Sequence, residues 1–239
     1  MSYNATFLGW QALTLSDLIV AYRKAKADCF FENTFPTAIN FSDYEQDLLA
    51  NLETLLQKLK KENDFSNDEK LLGKYRVVPK KLAITRKPES RNGHIHFSDP
   101  DRAFECIVKN NNLVAEFRVI GDFPVETHII SALWINAIGH KFDSHLEKCC
   151  YGARLKRIRD DKNIDQTDEK PFHIKSTGSF VPYFQPYQRW RNDGLKAIRI
   201  ELEQDRDVVA VSLDLKSYYH FIDPMAIASK ALHETLDLA

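Results

Sequence analysis

Apolar residues recur at helical spacing in two stretches of this chain and in short alternating or unbroken runs elsewhere. Tyr44, Leu48, Leu52, Leu55, Leu56 and Leu59 repeat every three or four positions, the mark of an amphipathic helix, and Ser42 with Glu45 offers a capping box for its start. The polar stretch "KKENDFSNDEK" then marks a boundary around residues 60–70. From Tyr75 to Val119 the runs "YRVV", "HIHF", "FECIV" and "LVAEFRVI" alternate with Pro, Gly, Asn and Asp, which predicts antiparallel hairpins. In "ETHIISALWINAIGHKFDSHL", residues Ile130, Leu133, Trp134, Ala137, Ile138, Phe142 and Leu146 share one stripe of a core-facing helix. Lys156 to Gly178 reads as an exposed loop or insertion, and Pro186 opens a further helix that Asp205 to Asp207 closes. The run "VVAVSL" predicts a strand buried on both faces, and Asp223 with Pro224 predicts the cap and first residue of a last helix.

Composition changes this picture little. With 239 residues, 44% apolar and 28% charged, the chain has the profile of a globular protein with a sizeable core. No basic start followed by an apolar segment opens the sequence, and no apolar run reaches membrane-spanning length, so a cytoplasmic protein without a membrane partner is expected. Cys29, Cys106, Cys149 and Cys150 lack metal-ligand spacing and read as reduced thiols. A formal charge of −1 gives no overall attraction to nucleic acid, but charge is locally concentrated. "KYRVVPKKLAITRKPESR" holds seven basic residues against one acid, and every charge in "KCCYGARLKRIR" is positive. Each run is either a solvated face or a phosphate-contacting one.

The chemistry centres on Asp214, which ends the apolar run "VVAVSL". An unpaired buried carboxylate costs several kcal/mol, and a divalent cation at a strand tip would remove that cost. An acid paired with a neighbouring lysine is the structural alternative. His94 and His96 share a strand face near Asp99 and Asp101 but lack a second ligand pair, and His128, His140 and His145 do not converge. His220 suits either a general acid or an ordinary hydrogen-bonded histidine. Neither a glycine-rich phosphate loop nor a nucleophile elbow is present.

"VVAVSLDLKSYYHFID" resembles the first catalytic palm motif of reverse transcriptases, and "EFRVIGDFPVETHIISALWINAIGHKFDSHLEKCCYGARLKR" resembles their fingers segment, in the family's order. The likeness covers roughly residues 74–239. "RVIG", "YGARLKR" and His220 depart from intron-type members and, with "YQRWRNDGLKAIR" before the motif, look more like the bacterial antiphage-defence and abortive-infection members.

The resemblance implies an α+β fragment of a right-hand polymerase: a helical region over 1–70, fingers of antiparallel strands and helices over 71–205, and the first strand and helix of the palm over 206–239. It implies Mg²⁺ held by Asp214 and the backbone carbonyl of Leu215, with Arg118 and the Ser217, Tyr218 and Tyr219 segment on the incoming deoxynucleoside triphosphate. Tyr219 matches the steric gate. Arg154, Lys156 and Arg157 would contact an RNA or DNA template-primer. The family's later pair of adjacent aspartates has no match, because Asp160 and Asp161 precede the motif. The expectation is therefore the N-terminal part of a polymerase, inactive by itself and completed by further chain, an oligomer or a partner subunit. A non-catalytic nucleic-acid-binding or assembly module with a polymerase-like fold is the alternative.

Overall fold

The computed structural model describes residues 8–31, 37–61, 68–84, 99–109, 113–158, 171–214, 221–227, 229 and 234. Helices and a two-stranded antiparallel sheet make the chain α+β, as expected. It divides into two units, one of Asn67–Pro124 and one of Met1–Ser66 with Val125–Ala239. The helical leader shares one core with residues from Val125 onward.

In the larger unit, α1 (Leu15–Phe31) starts at a capping box that sequence reading missed. The Thr14 N–H donates to the Asp17 carboxylate at 2.8 Å, and the Asp17 N–H donates to the Thr14 hydroxyl at 3.3 Å. Leu18, Ala21, Tyr22 and Ala25 then fall on one buried face. That face packs in a single cluster with Phe41 and Tyr44 of α2 (Thr37–Glu45), with Leu52, Leu55 and Leu59 of α3 (Leu48–Lys60), and with α5 (Val125–Trp134). The Tyr22 ring lies 5.9 Å from Phe41 and 6.2 Å from Tyr44.

Ser42 and Glu45 do not cap α3, since both lie inside α2 and Asp47 takes the cap position. Glu45 instead accepts hydrogen bonds from the Tyr22 hydroxyl and the Lys26 ammonium of α1. With that acid fixed against α1, the chain breaks at residues 46–47 and α3 begins afresh. The leucine periodicity nonetheless locates the buried face of α3 correctly.

α5 continues through a π turn (Ile135–Gly139) into α6 (His140–Ser144). The widened turn rotates the stripe: Ile129, Leu133, Asn136, Gly139 and Asp143 are buried, while Trp134 and Leu146 are partly exposed. Trp134 stacks on Phe142 at 5.7 Å, and these residues line a mostly apolar cleft of about 750 Å³ with Ile130, Leu155 and Phe180.

In the smaller unit, β1 (Lys74–Ile84) pairs with β2 (Leu113–Asp122) in antiparallel register, Val78 opposite Arg118 and Lys74 opposite Asp122. "YRVV" and "LVAEFRVI" are thus strands as expected. "FECIV" is not, because it lies in α4 (Pro100–Lys109). The physical reason is local: the Arg102 N–H donates to the Asp99 carboxylate at 3.0 Å, Pro100 occupies the first helical position, and Glu105 pairs with Lys109 one turn on. "HIHF" lies outside the described residues.

α7 (Phe184–Glu203) matches the expected helix, and Asp205 closes it in the left-handed region at φ 57. The Asp223 carboxylate caps α8 (Pro224–Ile227) by accepting the Met225 N–H at 2.9 Å. The expected palm strand is absent: residues 206–214 are irregular, with Val209, Val211 and Leu213 exposed at 87%, 73% and 88%. A strand of that composition needs neighbours on both sides, and none pairs with it among the described residues. Among those residues no helix is long and apolar enough to cross a membrane.

Leu52 is fully buried, so Leu52→Ala should lower unfolding free energy by about 2–5 kcal/mol, whereas Leu213→Ala should change it by less than about 0.5 kcal/mol. Equilibrium denaturation of the two variants checks the contrast.

Candidate functional site

Asp214 lies exposed in irregular backbone. Leu215, Ser217, Tyr218 and Tyr219 fall outside the described residues, as do His94, His96 and His220. Mg²⁺ takes a near-octahedral set of oxygen ligands, and among the described residues no group of three His, Cys, Asp or Glu gathers to hold a metal ion. One exposed carboxylate does not complete such a site.

Arg118 belongs to the other unit, exposed on β2. Asp122, one of its two nearest acids along the strand, is taken by Arg76 at 2.5 Å. Arg118 is exposed on its strand, and an exposed guanidinium fork suits recognition of an anion.

The basic residues after α6 are used differently. Asp143 sits at a buried stripe position, and its Oδ1 accepts the Arg154 Nε–H at 3.0 Å and the Leu155 N–H at 3.2 Å. Its Oδ2 accepts a bond from Arg157. Arg154 also donates to the carbonyls of Glu147 at 3.1 Å and Cys150 at 3.0 Å, closing the Tyr-Gly-x-Arg turn in which Ala153 has φ 49. The Arg154 and Arg157 side chains are only 14% and 13% exposed. Their guanidiniums thus face Asp143, and Lys156 donates to the Thr177 carbonyl.

These residues form one side of a short ribbon. Lys156 N–H donates to Ser179 O at 2.8 Å, His173 N–H to Lys156 O at 2.9 Å, and Val181 N–H to Arg154 O at 2.8 Å. The polar stretch expected as an exposed loop or insertion is therefore paired at both of its described ends. Asp28 of α1 fixes the ribbon, accepting the Ser179 N–H at 2.9 Å on both oxygens and the Phe180 N–H at 3.4 Å. Gly178 permits this approach: it has φ +74, and a Cβ there would stand 2.8 Å from the Asp28 carboxylate.

Lys24, also on α1, is wholly buried. Its ammonium donates to His173 O at 3.3 Å and lies 4.0 Å from the centre of the Phe172 ring. Burial pushes its pKa down to about 8, opposed by Asp28 and assisted by Lys156. His140 stacks on the same Phe172 ring at 5.3 Å, and burial holds it below the usual histidine range. Asp143, Asp28 and Lys24 escaped sequence reading. The available signal was a charged residue set at helical spacing among buried neighbours: Lys24 between Ala21 and Ala25, and Asp143 following Asn136 and Gly139.

No protein-family model, curated protein or solved structure matches the chain.

Asp143→Asn leaves two largely buried guanidiniums without their shared charge and should destabilise the chain by about 3–5 kcal/mol, read from chemical denaturation. Lys24 gives a pH test. The unfolded chain keeps its proton to about pH 10.5 and the folded chain to about pH 8, so the unfolded state binds more protons between those values and stability rises with pH across them. Relative to Lys24→Met, wild type should gain up to about 3 kcal/mol over that window. Tyr22 and Tyr44, whose hydroxyls burial raises above the usual tyrosine range, act in the opposite sense above pH 10, equally in both proteins. A pH-independent gap between the two proteins would refute the buried-ammonium assignment.

Proposed function

We propose that this chain carries the fingers and the first palm aspartate of a reverse transcriptase of the antiviral-defence type, which adds deoxynucleotides to a primer strand by Mg²⁺-dependent phosphoryl transfer. The remaining metal ligands come from outside the described residues. The observation that carries the reading is the order of segments: a fingers arginine, a helix, a Tyr-Gly-x-Arg turn, then an apolar run ending on Asp214 with an aromatic at Tyr219. Three features support it. β2 presents Arg118 to solvent, and α5 follows β2 directly. Asp143 fixes the Tyr-Gly-x-Arg turn. Arg154 and Arg157 serve this reading as the residues that hold that turn against Asp143, which leaves less of their charge for a template phosphate.

A second reading, an assembly or nucleic-acid-binding module without chemistry, is favoured by the exposure of Val209, Val211 and Leu213, a strand-forming run open to a partner.

Because Asp214 is exposed, Asp214→Asn should leave stability within about 0.5 kcal/mol of wild type. In the polymerase containing this chain, the same change should lower Mg²⁺-dependent primer extension by at least about 100-fold. Unaltered extension would refute the metal role, and template-primer binding with no synthesis by either form would favour the module. Tyr219→Ala should raise ribonucleotide incorporation relative to deoxynucleotide, and an unmoved ratio would remove the gate assignment.

A further inference from the structure

α7 runs for 20 residues yet buries only Pro186. Around its first turns it exposes Tyr183, Phe184, Tyr187 and Trp190, with the Tyr187 and Trp190 rings 5.8 Å apart. Cations alternate with these rings. Over residues 184–199 the helix carries Arg189, Arg191, Lys196 and Arg199 against a single acid, Asp193, and that acid is engaged by the Tyr151 hydroxyl at 2.8 Å. Arg189 stacks over the same Tyr151 ring at 5.9 Å. Gln185, Gln188 and Asn192 add amide groups on the same exposed turns. The acids Glu201 and Glu203 stand apart at the C-terminal end, where Glu201 pairs with Arg206 at 2.8 Å.

We infer that the N-terminal two-thirds of α7 is a stacking platform for single-stranded nucleic acid. A purely apolar stripe at helical spacing would point to a packed protein partner. Here Arg191 falls within the stripe between Tyr187 and Leu195, and the local charge is positive on a chain whose total is −1. Half-exposed rings offer faces to unstacked bases, flanking guanidiniums and ammoniums meet the phosphates, and amides reach base edges without demanding one sequence. The inference rests on the polymerase reading only for why a strand would be at hand. It assigns strand contact to outward-facing cations, where Arg154 and Arg157 face inward.

The test is fluorescence anisotropy of the full chain with a labelled oligothymidine of about 16 nucleotides, compared with a blunt duplex of the same length. The single strand should bind more tightly than the duplex. Tyr187→Ala and Trp190→Ala should each weaken it by about fivefold to a hundredfold, Trp190→Phe should restore most of the loss, and Arg191→Gln should reduce the salt slope by about 0.7. Circular dichroism establishes that each variant is folded; Tyr187 and Trp190 are exposed at 58% and 52%, so folding should survive. The measurement is made without Mg²⁺ or deoxynucleotide, so it reads strand contact independently of primer extension and separates failure of the platform from failure of the metal-site reading. Affinity unchanged in both alanine variants would overturn the inference. So would unchanged affinity accompanied by a drop in solution mass on light scattering, which would make the face a contact between copies of the chain.

Discussion

One carboxylate, Asp143, decides how the middle of this chain is arranged. It stands at a core-facing position of the helix that follows the π turn, and it is satisfied by two guanidiniums and a backbone N–H supplied 11 to 14 residues later. Burying an ionised carboxylate without such partners would cost several kcal/mol, so the turn at 147–154 has to close where Arg154 can reach it. Arg154 then also donates to the Asp143 carbonyl at the end of α6 and to the Glu147 and Cys150 carbonyls of the turn. Net stability is not the main consequence, since buried ion pairs often do no better than an apolar packing of equal volume. The consequence lies in geometry: apolar side chains can slide against each other, whereas the Asp143 carboxylate takes its donors from defined positions, Arg154, Leu155 and Arg157.

From that point the order propagates. Residues 154–158 become the template on which 171–181 pair, and Asp28 and Lys24 of α1 tie the second segment down. The same helix α1 buries Leu18, Ala21, Tyr22 and Ala25 in the core with α3 and α5. Its two faces therefore do different work, one by apolar packing and the other by directed polar contacts. Gly178, the residue facing Asp28, lacks a side chain because one would occupy the carboxylate's own space.

Legibility in the sequence followed the range of the interaction that decides each element. The leucines of α3 and the cap at Asp223 depend on neighbours a few residues away, and both were readable. "FECIV" depended on the same short range, but its apolar run outweighed the Asp99-Pro100 start that makes it a helix. The break between α2 and α3 was hidden, because Glu45 bonds to Tyr22 and Lys26 on another helix. The π turn was equally hidden, and it shifted the buried stripe of α5 and α6 away from Trp134 and Leu146. "VVAVSL" has the composition of a central strand, but composition cannot supply the neighbours that a central strand requires. Of the candidate site, Arg118 and Asp214 were legible as residues. Their setting was not.

Charge shows the same limit most sharply. "GARLKR" and "QRWR" look alike as sequence, each basic and each beside aromatic residues, yet they end in opposite environments. What separates them is the location of the acid that answers them. Asp143 lies in a buried stripe and draws Arg154 and Arg157 inward, while the one acid among the first turns of α7, Asp193, is at the surface and is satisfied by a tyrosine hydroxyl. Arg191 pairs with no acid among the described residues, and its exposed side chain donates to the Asn192 amide oxygen at 3.4 Å. A basic cluster in a sequence therefore indicates exposed charge only after the buried acids within reach have been counted, and in this chain that count turns the guanidiniums of Arg154 and Arg157 toward Asp143 while Arg191 stays exposed on α7.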